Sequence, residues 1–256
     1  MMIDTHCHLN LLDLAPFNGS EEDMITDMLD HGVKRVVCIS IDLETLPEVL
    51  SFADRYDAVY ASVGVHPSSS LKAGPDVDTL VMLAQKPKVV AIGETGLDYH
   101  YNDSGLENMR EQFRTHIQAA QAVKRPLIIH TRAAQKDTIQ IMQDEQARDV
   151  GGIMHCFTET QAMAKASMDM GFYISFSGIV TFKNAANVQA VAEYVPLDRM
   201  LIETDAPYLT PVPFRGKPNR PSYVRFVAEK IAELKQCSVE KVMSITTDNA
   251  IKVFQW

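Results

Sequence analysis

Short apolar runs alternate with amphipathic stretches from one end of the chain to the other. Met2–Thr5, Lys34–Ile39 (KRVVCI), Val59–Val63, Val89–Gly93 (VVAIG), Pro126–Ile129 (PLII), Gly152–Met154, Phe172–Phe176 and Met200–Glu203 read as strands. These runs are continuously apolar, the pattern of parallel strands covered on both faces. Helical stretches separate them: Glu21–His31 (with Ser20 as N-cap), Leu43–Tyr56, Val77–Gln85, Ser104–Val123, Gln135–Arg148, Thr160–Met170, Ala186–Tyr194 and Pro221–Leu234. Val239–Met243 and Thr247–Phe254 read as two closing helical pieces. Eight strand–helix units of about thirty residues each predict an α/β fold, a (β/α)8 TIM-type barrel. The competing architecture is an open doubly wound sheet, but no GxGxxG follows the first strand. No composition break or low-complexity tract divides the chain, so a single domain over residues 1–256 is expected.

Composition agrees with this. A chain of 256 residues, 46% hydrophobic, is the size of one barrel and buries a full core without disulfides. Cys7, Cys38, Cys156 and Cys237 are scattered without a CxxC pair, as reduced thiols of a cytosolic protein would be. No signal peptide and no membrane span are expected. The net charge of −9 argues against a broad basic face for coating duplex DNA. Any nucleic acid must be held locally, by a few cations and bound metals.

The chemistry lies where the strands end. The first ends in Asp4-Thr5-His6-Cys7-His8, and residues i and i+2 of a strand share a face, so His6 and His8 can grip one ion. The third leads to His66, the fourth to Glu94, the fifth to His130 with Arg132 two residues on, the sixth to His155, and the eighth to Glu203 and Asp205. In a barrel all these ends share the C-terminal face, where active sites are built. Five of the eight histidines would meet there. His31, His100 and His116 read as ordinary cap, surface or packing residues.

On these residues the sequence resembles the TatD-like metal-dependent hydrolases, within the amidohydrolase-type barrels. The resemblance is carried by Asp4-Thr5-His6-Cys7-His8-Leu9, Gly93 through Tyr99 (GETGLDY), His130-Thr131-Arg132, His155-Cys156-Phe157, Ser177 through Lys183 (SGIVTFK) and Glu203 through Leu209 (ETDAPYL). It extends through Pro213 to Lys217 and Asn219, and so covers essentially the whole chain. It implies a cytoplasmic hydrolase of DNA phosphodiester bonds with two divalent metals, zinc, manganese or magnesium. By the family pattern His6, His8 and Asp205 hold one ion, His130 and His155 the other, and Glu94 bridges both. Two such ions can activate a water and clamp a phosphate. Asp205 is the candidate to orient or deprotonate that water. Glu203 is either an acid or base or an orienting hydrogen-bond partner of a ligand.

Arg132, Arg215, Lys217 and His66 are candidates to hold substrate phosphate. Arg220 and Phe214 depart from residues common in the family, but neither is a ligand. Tyr99, Tyr101 and Phe182 could offer faces to bases. The expected activity is exonucleolytic, on single-stranded or frayed DNA ends, with no obligate protein partner. An ester or amide hydrolase such as an aminoacyl-tRNA deacylase is the alternative. Glu94 disfavours barrel hydrolases that bridge their metals through a modified lysine on the fourth strand. A non-catalytic metal-binding scaffold is a third possibility.

Overall fold

A computed structural model describes residues 1–69, 74–100 and 104–256. Eight strands form one sheet in chain order, each parallel to its neighbour: β1 (Met2–Cys7), β2 (Val33–Cys38), β3 (Val59–Val63), β4 (Val89–Asp98), β5 (Leu127–Arg132), β6 (Gly152–Met154), β7 (Phe172–Phe176) and β8 (Met200–Ile202). Helices α1 (Glu21–Asp30), α2 (Leu46–Arg55), α3 (Val77–Ala84), α4 (Leu106–Val123), α5 (Gln135–Asp144), α6 (Gln161–Asp169), α7 (Ala186–Tyr194) and α8 (Val224–Lys235) follow the strands in turn, and α9 (Val239–Phe254) closes the chain. Ser20, Asp76, Thr160 and Ser238 each accept a backbone N–H three residues on, capping α1, α3, α6 and α9. The sheet curls until β8 meets β1: Thr5 Oγ1 donates to the Ile202 carbonyl at 3.1 Å. This is the (β/α)8 barrel that the periodicity predicts.

The barrel has a blocked end and an open one. Ile3, Val37, Val90, Ile128, Ile153 and Leu201, with half-buried Tyr60 and Tyr173, form one cluster with a side chain from every strand. Only interior positions can bring all eight strands together. The same cluster includes Ala250, Val253 and Phe254 of α9, and Trp256 packs on Tyr60 with ring centroids 4.5 Å apart. Helix α9 thus covers the N-terminal end, and among the described residues the cavity opens at the C-terminal end.

Several elements differ in extent from their sequence pattern, α5 ending at Asp144, β5 running on to Arg132 and α8 starting at Val224, and three others do so for identifiable reasons. Two closing helical pieces are expected, and one continuous α9 is found. Its polar interruption is turned inward: Thr246 Oγ1 donates to the Val242 carbonyl, and Asn249 Nδ2 to those of Leu197 and Met200. Strand β4 runs five residues beyond Gly93, pairing Gly96 with His130 and Asp98 with Arg132. Helix α2 starts at Leu46 because the Asp42 carboxylate binds both the N–H and the hydroxyl of Thr45.

Glycine allows β3 and β4 to approach at the rim. A Cβ on Gly64 would lie 2.5 Å from the Gly93 carbonyl carbon, beside the peptide that carries Glu94. Gly64→Ala is therefore expected to destabilise the protein by about 1–3 kcal/mol, the usual cost of overpacking. Urea unfolding measures this. An unchanged midpoint would mean that the close approach is not required.

Candidate metal centre

The open end of the barrel holds a cavity of about 950 Å³. His8, His66, Glu94, His130, Arg132, His155 and Asp205 all line it, although they come from six different strand ends. His6 is fully buried beneath them. A backbone ladder beyond β8 sets the first group: Asp205 N–H donates to the His6 carbonyl (2.9 Å) and His8 N–H to the Ala206 carbonyl (2.8 Å). The His6 and His8 Nε2 atoms consequently lie 3.6 and 3.3 Å from Asp205 Oδ1.

Glu94 occupies the centre. Its Oε2 faces His6 Nε2 at 3.4 Å. Its Oε1 faces His130 Nδ1 and His155 Nε2, each at 3.1 Å, and His66 Nε2 at 3.5 Å. Burial pushes this carboxyl up, but the imidazoles of His155, His66 and His6 outweigh burial and hold it well below the ordinary range. Asp205 is likewise held low against its own burial, chiefly by His8.

Hydrogen bonds on the far side of the His155, His130 and His8 rings fix which nitrogen faces the cavity. His155 Nδ1 donates to Glu203 Oε1 at 2.8 Å, leaving Nε2 toward Glu94. His130 Nε2 donates to Asp98 Oδ2 at 3.0 Å, leaving Nδ1. His8 Nδ1 lies 3.4 Å from the Ile39 carbonyl, leaving Nε2. Both nitrogens of His6 are buried without a hydrogen-bond partner, a rare condition for a polar atom and one that a bound cation relieves. His66 is different. Its Nδ1 accepts the Ser68 N–H at 3.1 Å. Burial lowers its pKa to about 4, so the ring is neutral and carries its proton on Nε2.

Among the described residues, three sets of ligand atoms lie within 4.8 Å of one another: His6, His8 and Asp205; His66, Glu94 and His130; and His6, His155 and Glu203. In the last, His155 and Glu203 already bind each other directly. The donor chemistry and spacing fit a binuclear divalent-metal site, with Glu94 between the two sets.

Glu203 is engaged through one oxygen, while its Oε2 is buried without a hydrogen-bond partner. It is fully buried, and its Oε1 accepts from both His155 Nδ1 and the Cys156 N–H. Arg215 and Lys217 lie off the cavity wall: the guanidinium of Arg215 sits 3.9 Å from the Phe182 ring centroid, and the ammonium of Lys217 is 5.8 Å from that of Phe214. Phe182 is therefore covered by Arg215. Tyr99 is engaged by Asp137 and Arg110, and Tyr101 falls outside the described residues.

Four residues frame the site in roles that the sequence did not assign. Asp98 orients His130. Asp4, fully buried, accepts the Thr204 N–H at 2.9 Å and the Thr204 hydroxyl, joining the two ligand-bearing segments. Burial pushes its carboxyl up to about 8. Asn219 Nδ2 donates to the Thr204 and Tyr208 carbonyls, framing the Asp205 turn. His116 takes the packing role of the two the sequence allowed: its Nδ1–H bonds the Gln112 carbonyl and its Nε2 accepts the Val65 N–H, tying α4 to the loop that presents His66. Asp98 alone had a readable signal, being four residues beyond Glu94 and on the same strand face if the strand continues.

Fold and site together define a metal-dependent hydrolase of the amidohydrolase-type barrel class. Residues 3–255 match the family of TatD-related DNases, and the chain belongs to that family. It is 44% identical to the uncharacterized metal-dependent hydrolase YabD of Bacillus subtilis, covering 100% of this chain and 99% of that one. It is 29% identical to the 3′-5′ ssDNA/RNA exonuclease TatD of Salmonella typhimurium over 95% of this chain and 96% of the other. The crystal structure of YjjV, a TatD homologue from Escherichia coli, superposes with a TM-score of 0.89 at 27% identity, covering 100% of this chain and 98% of that one.

Proton and metal must compete for these rings. Burial works against charge on His155, but Glu203 and Glu94 hold its pKa well above the ordinary histidine value. His130 is raised against its burial by Asp98 and Glu94. A ligating imidazole must give up its proton, so apparent metal affinity should fall as pH drops and uptake near neutrality should release protons. Calorimetric zinc titration in buffers of different ionisation enthalpy measures both. Glu203→Gln should weaken affinity by roughly 10–100-fold. Uptake without proton release would contradict this account.

Proposed function

We propose that the protein is a binuclear divalent-metal nuclease that removes nucleotides from the ends of single-stranded DNA. The observation that carries the reading is Glu94, whose two oxygens face separate imidazole sets at the floor of an open cavity. His6, His8 and Asp205 would hold one ion, His130 and His155 the other, and Glu94 would contribute to both. Bound there, two divalent ions would supply Lewis-acid charge and an activated water. The many imidazoles favour zinc or manganese on ligand softness, while oxygen-rich substrates leave room for magnesium.

His66 is best read as a donor. A neutral imidazole that accepts at Nδ1 has no lone pair for a metal at Nε2, so His66 Nε2–H would bond a phosphate oxygen instead. Asp205, anionic and on the cavity wall, would orient the attacking water and take its proton on a carboxylate oxygen. Glu203 would act through His155 by fixing its tautomer. Arg132, on the wall beside His130, would grip the scissile or adjacent phosphate. Arg215 and Lys217 would meet phosphates farther along a strand that runs out of the cavity.

The preference for single strands rests on charge and shape. With a net charge of −9 the protein relies on local grip at one mouth. A relative that is a 3′-5′ ssDNA/RNA exonuclease supports the same substrate class. All four cysteines are free thiols, which suits the cytoplasm. No helix among the described residues is long and apolar enough to cross a membrane.

The test is turnover by metal-loaded protein of a labelled single-stranded oligonucleotide, the same sequence as duplex, and a charged tRNA. Shortening of the single strand from an end is expected, with slower attack on duplex interiors. Glu94→Ala should abolish turnover in a protein that still folds, with a lowered thermal unfolding midpoint because the buried imidazoles lose their counter-charge. Faster deacylation of the charged tRNA, or full activity in Glu94→Ala, would overturn the reading.

A further inference from the structure

The wall of the catalytic cavity is divided by chemistry along the barrel's circumference. The loop after β3 and the end of β5 contribute polar groups: His66, Ser68 and Ser69 from the loop, Thr131 and Arg132 from the strand. The loops after β7, β8, β1 and β2 contribute Ile179, Tyr208, Leu209, Leu11 and Ile41. Those four strands are contiguous once β8 has met β1, so the apolar residues share one side of the wall, where they flank His8 and Asp205, and the polar groups after β3 and on β5 lie on the other. Six large apolar side chains are exposed among the described residues. Only Leu11 and Tyr208 of the six lie on the cavity wall, and both belong to its apolar side. Tyr208 is 54% exposed and keeps its ring beside the first ligand group, edge-on to His8 with centroids 6.0 Å apart. Its backbone is held in place: Tyr208 N–H donates to the Asp205 carbonyl, and Asn219 binds the Tyr208 carbonyl.

We propose that Tyr208 and Leu11 form a subsite for the nucleobase of the nucleotide whose phosphate is being cleaved, on the β7–β8–β1–β2 side of the mouth. The inference rests on the nuclease reading and adds the orientation of the substrate. A nucleotide is itself divided into a polyanionic backbone and a flat, largely apolar base. Set across this cavity, its phosphate meets Glu94's imidazole sets, His66 and Arg132, and its base falls against the tyrosine face. Stacking on an aromatic ring is tolerant of base identity because every base has a π-face. The subsite therefore recognises that a base is present and leaves the sequence unread.

The experiment compares binding of deoxyadenosine 5′-monophosphate and deoxyribose 5-phosphate to metal-loaded protein by calorimetry, with metal content checked by elemental analysis. The wild type should bind the nucleotide about 5- to 100-fold more tightly than the sugar phosphate, the range of one base–aromatic stack. Tyr208→Ala should lose most of that preference with its metal content intact, and Tyr208→Phe should keep it. In turnover, an oligonucleotide with an abasic terminal residue should show a raised KM with the wild type and no further rise with Tyr208→Ala. Equal affinity for the two ligands, no binding of either, or a preference that survives Tyr208→Ala overturns the subsite. If oligonucleotides are still shortened in that case, the nuclease reading stands without it. If no DNA is cleaved but the Tyr208-dependent preference is found, the nuclease reading fails and the base site remains.

Discussion

A carboxylate buried among imidazoles is the constraint on which the rest of this structure depends. An isolated buried carboxylate would take up a proton or seek a cation. Glu94 avoids the first because histidines from four other strand ends surround it. The barrel makes that convergence possible, since each parallel strand delivers its last side chain to the same rim. Helix α9 and Trp256 cover the opposite end, and the cavity opens at that rim.

The imidazoles are in turn held from behind. Glu203 fixes His155, Asp98 fixes His130, and the backbone ladder between β1 and the Asp205 segment fixes His6 and His8. The Ser68 amide and His116 do the same for the His66 loop. Such partners decide which nitrogen a ring presents to the cavity. His66 differs from His8, His130 and His155 in accepting a backbone N–H, that of Ser68, on its ring.

The barrel and the convergence at its mouth were legible in the sequence because both follow from strand period and strand ends. Apolar runs marked all eight strands, and the charged or imidazole residues after six of them marked the rim. The extension of β4 was hidden by its glycines and polar residues, which read as a loop until Gly96 is seen against the His130 carbonyl. With it went Asp98. The continuity of α9 was hidden because a polar break in periodicity looks the same whether it faces water or bonds buried carbonyls. His116 stayed open between surface and packing, because helix position alone could not tell a surface imidazole from one that holds a neighbouring loop. Arg215 and Lys217 show that charge and loop position do not fix where a long side chain lies, since both heads lie near aromatic rings off the wall. The apolar side of the wall was unreadable because Leu11, Ile41, Ile179 and Tyr208 are far apart along the chain and unremarkable one at a time.

The central claim is that one glutamate joins two cation sites. It is tested most directly by elemental analysis of the purified protein after loading with zinc or manganese and removal of excess metal. The account predicts two equivalents per wild-type chain, with a clear loss of stoichiometry in Glu94→Ala. A wild-type protein that retains a single ion while fully active, or an undiminished pair in Glu94→Ala, would contradict it.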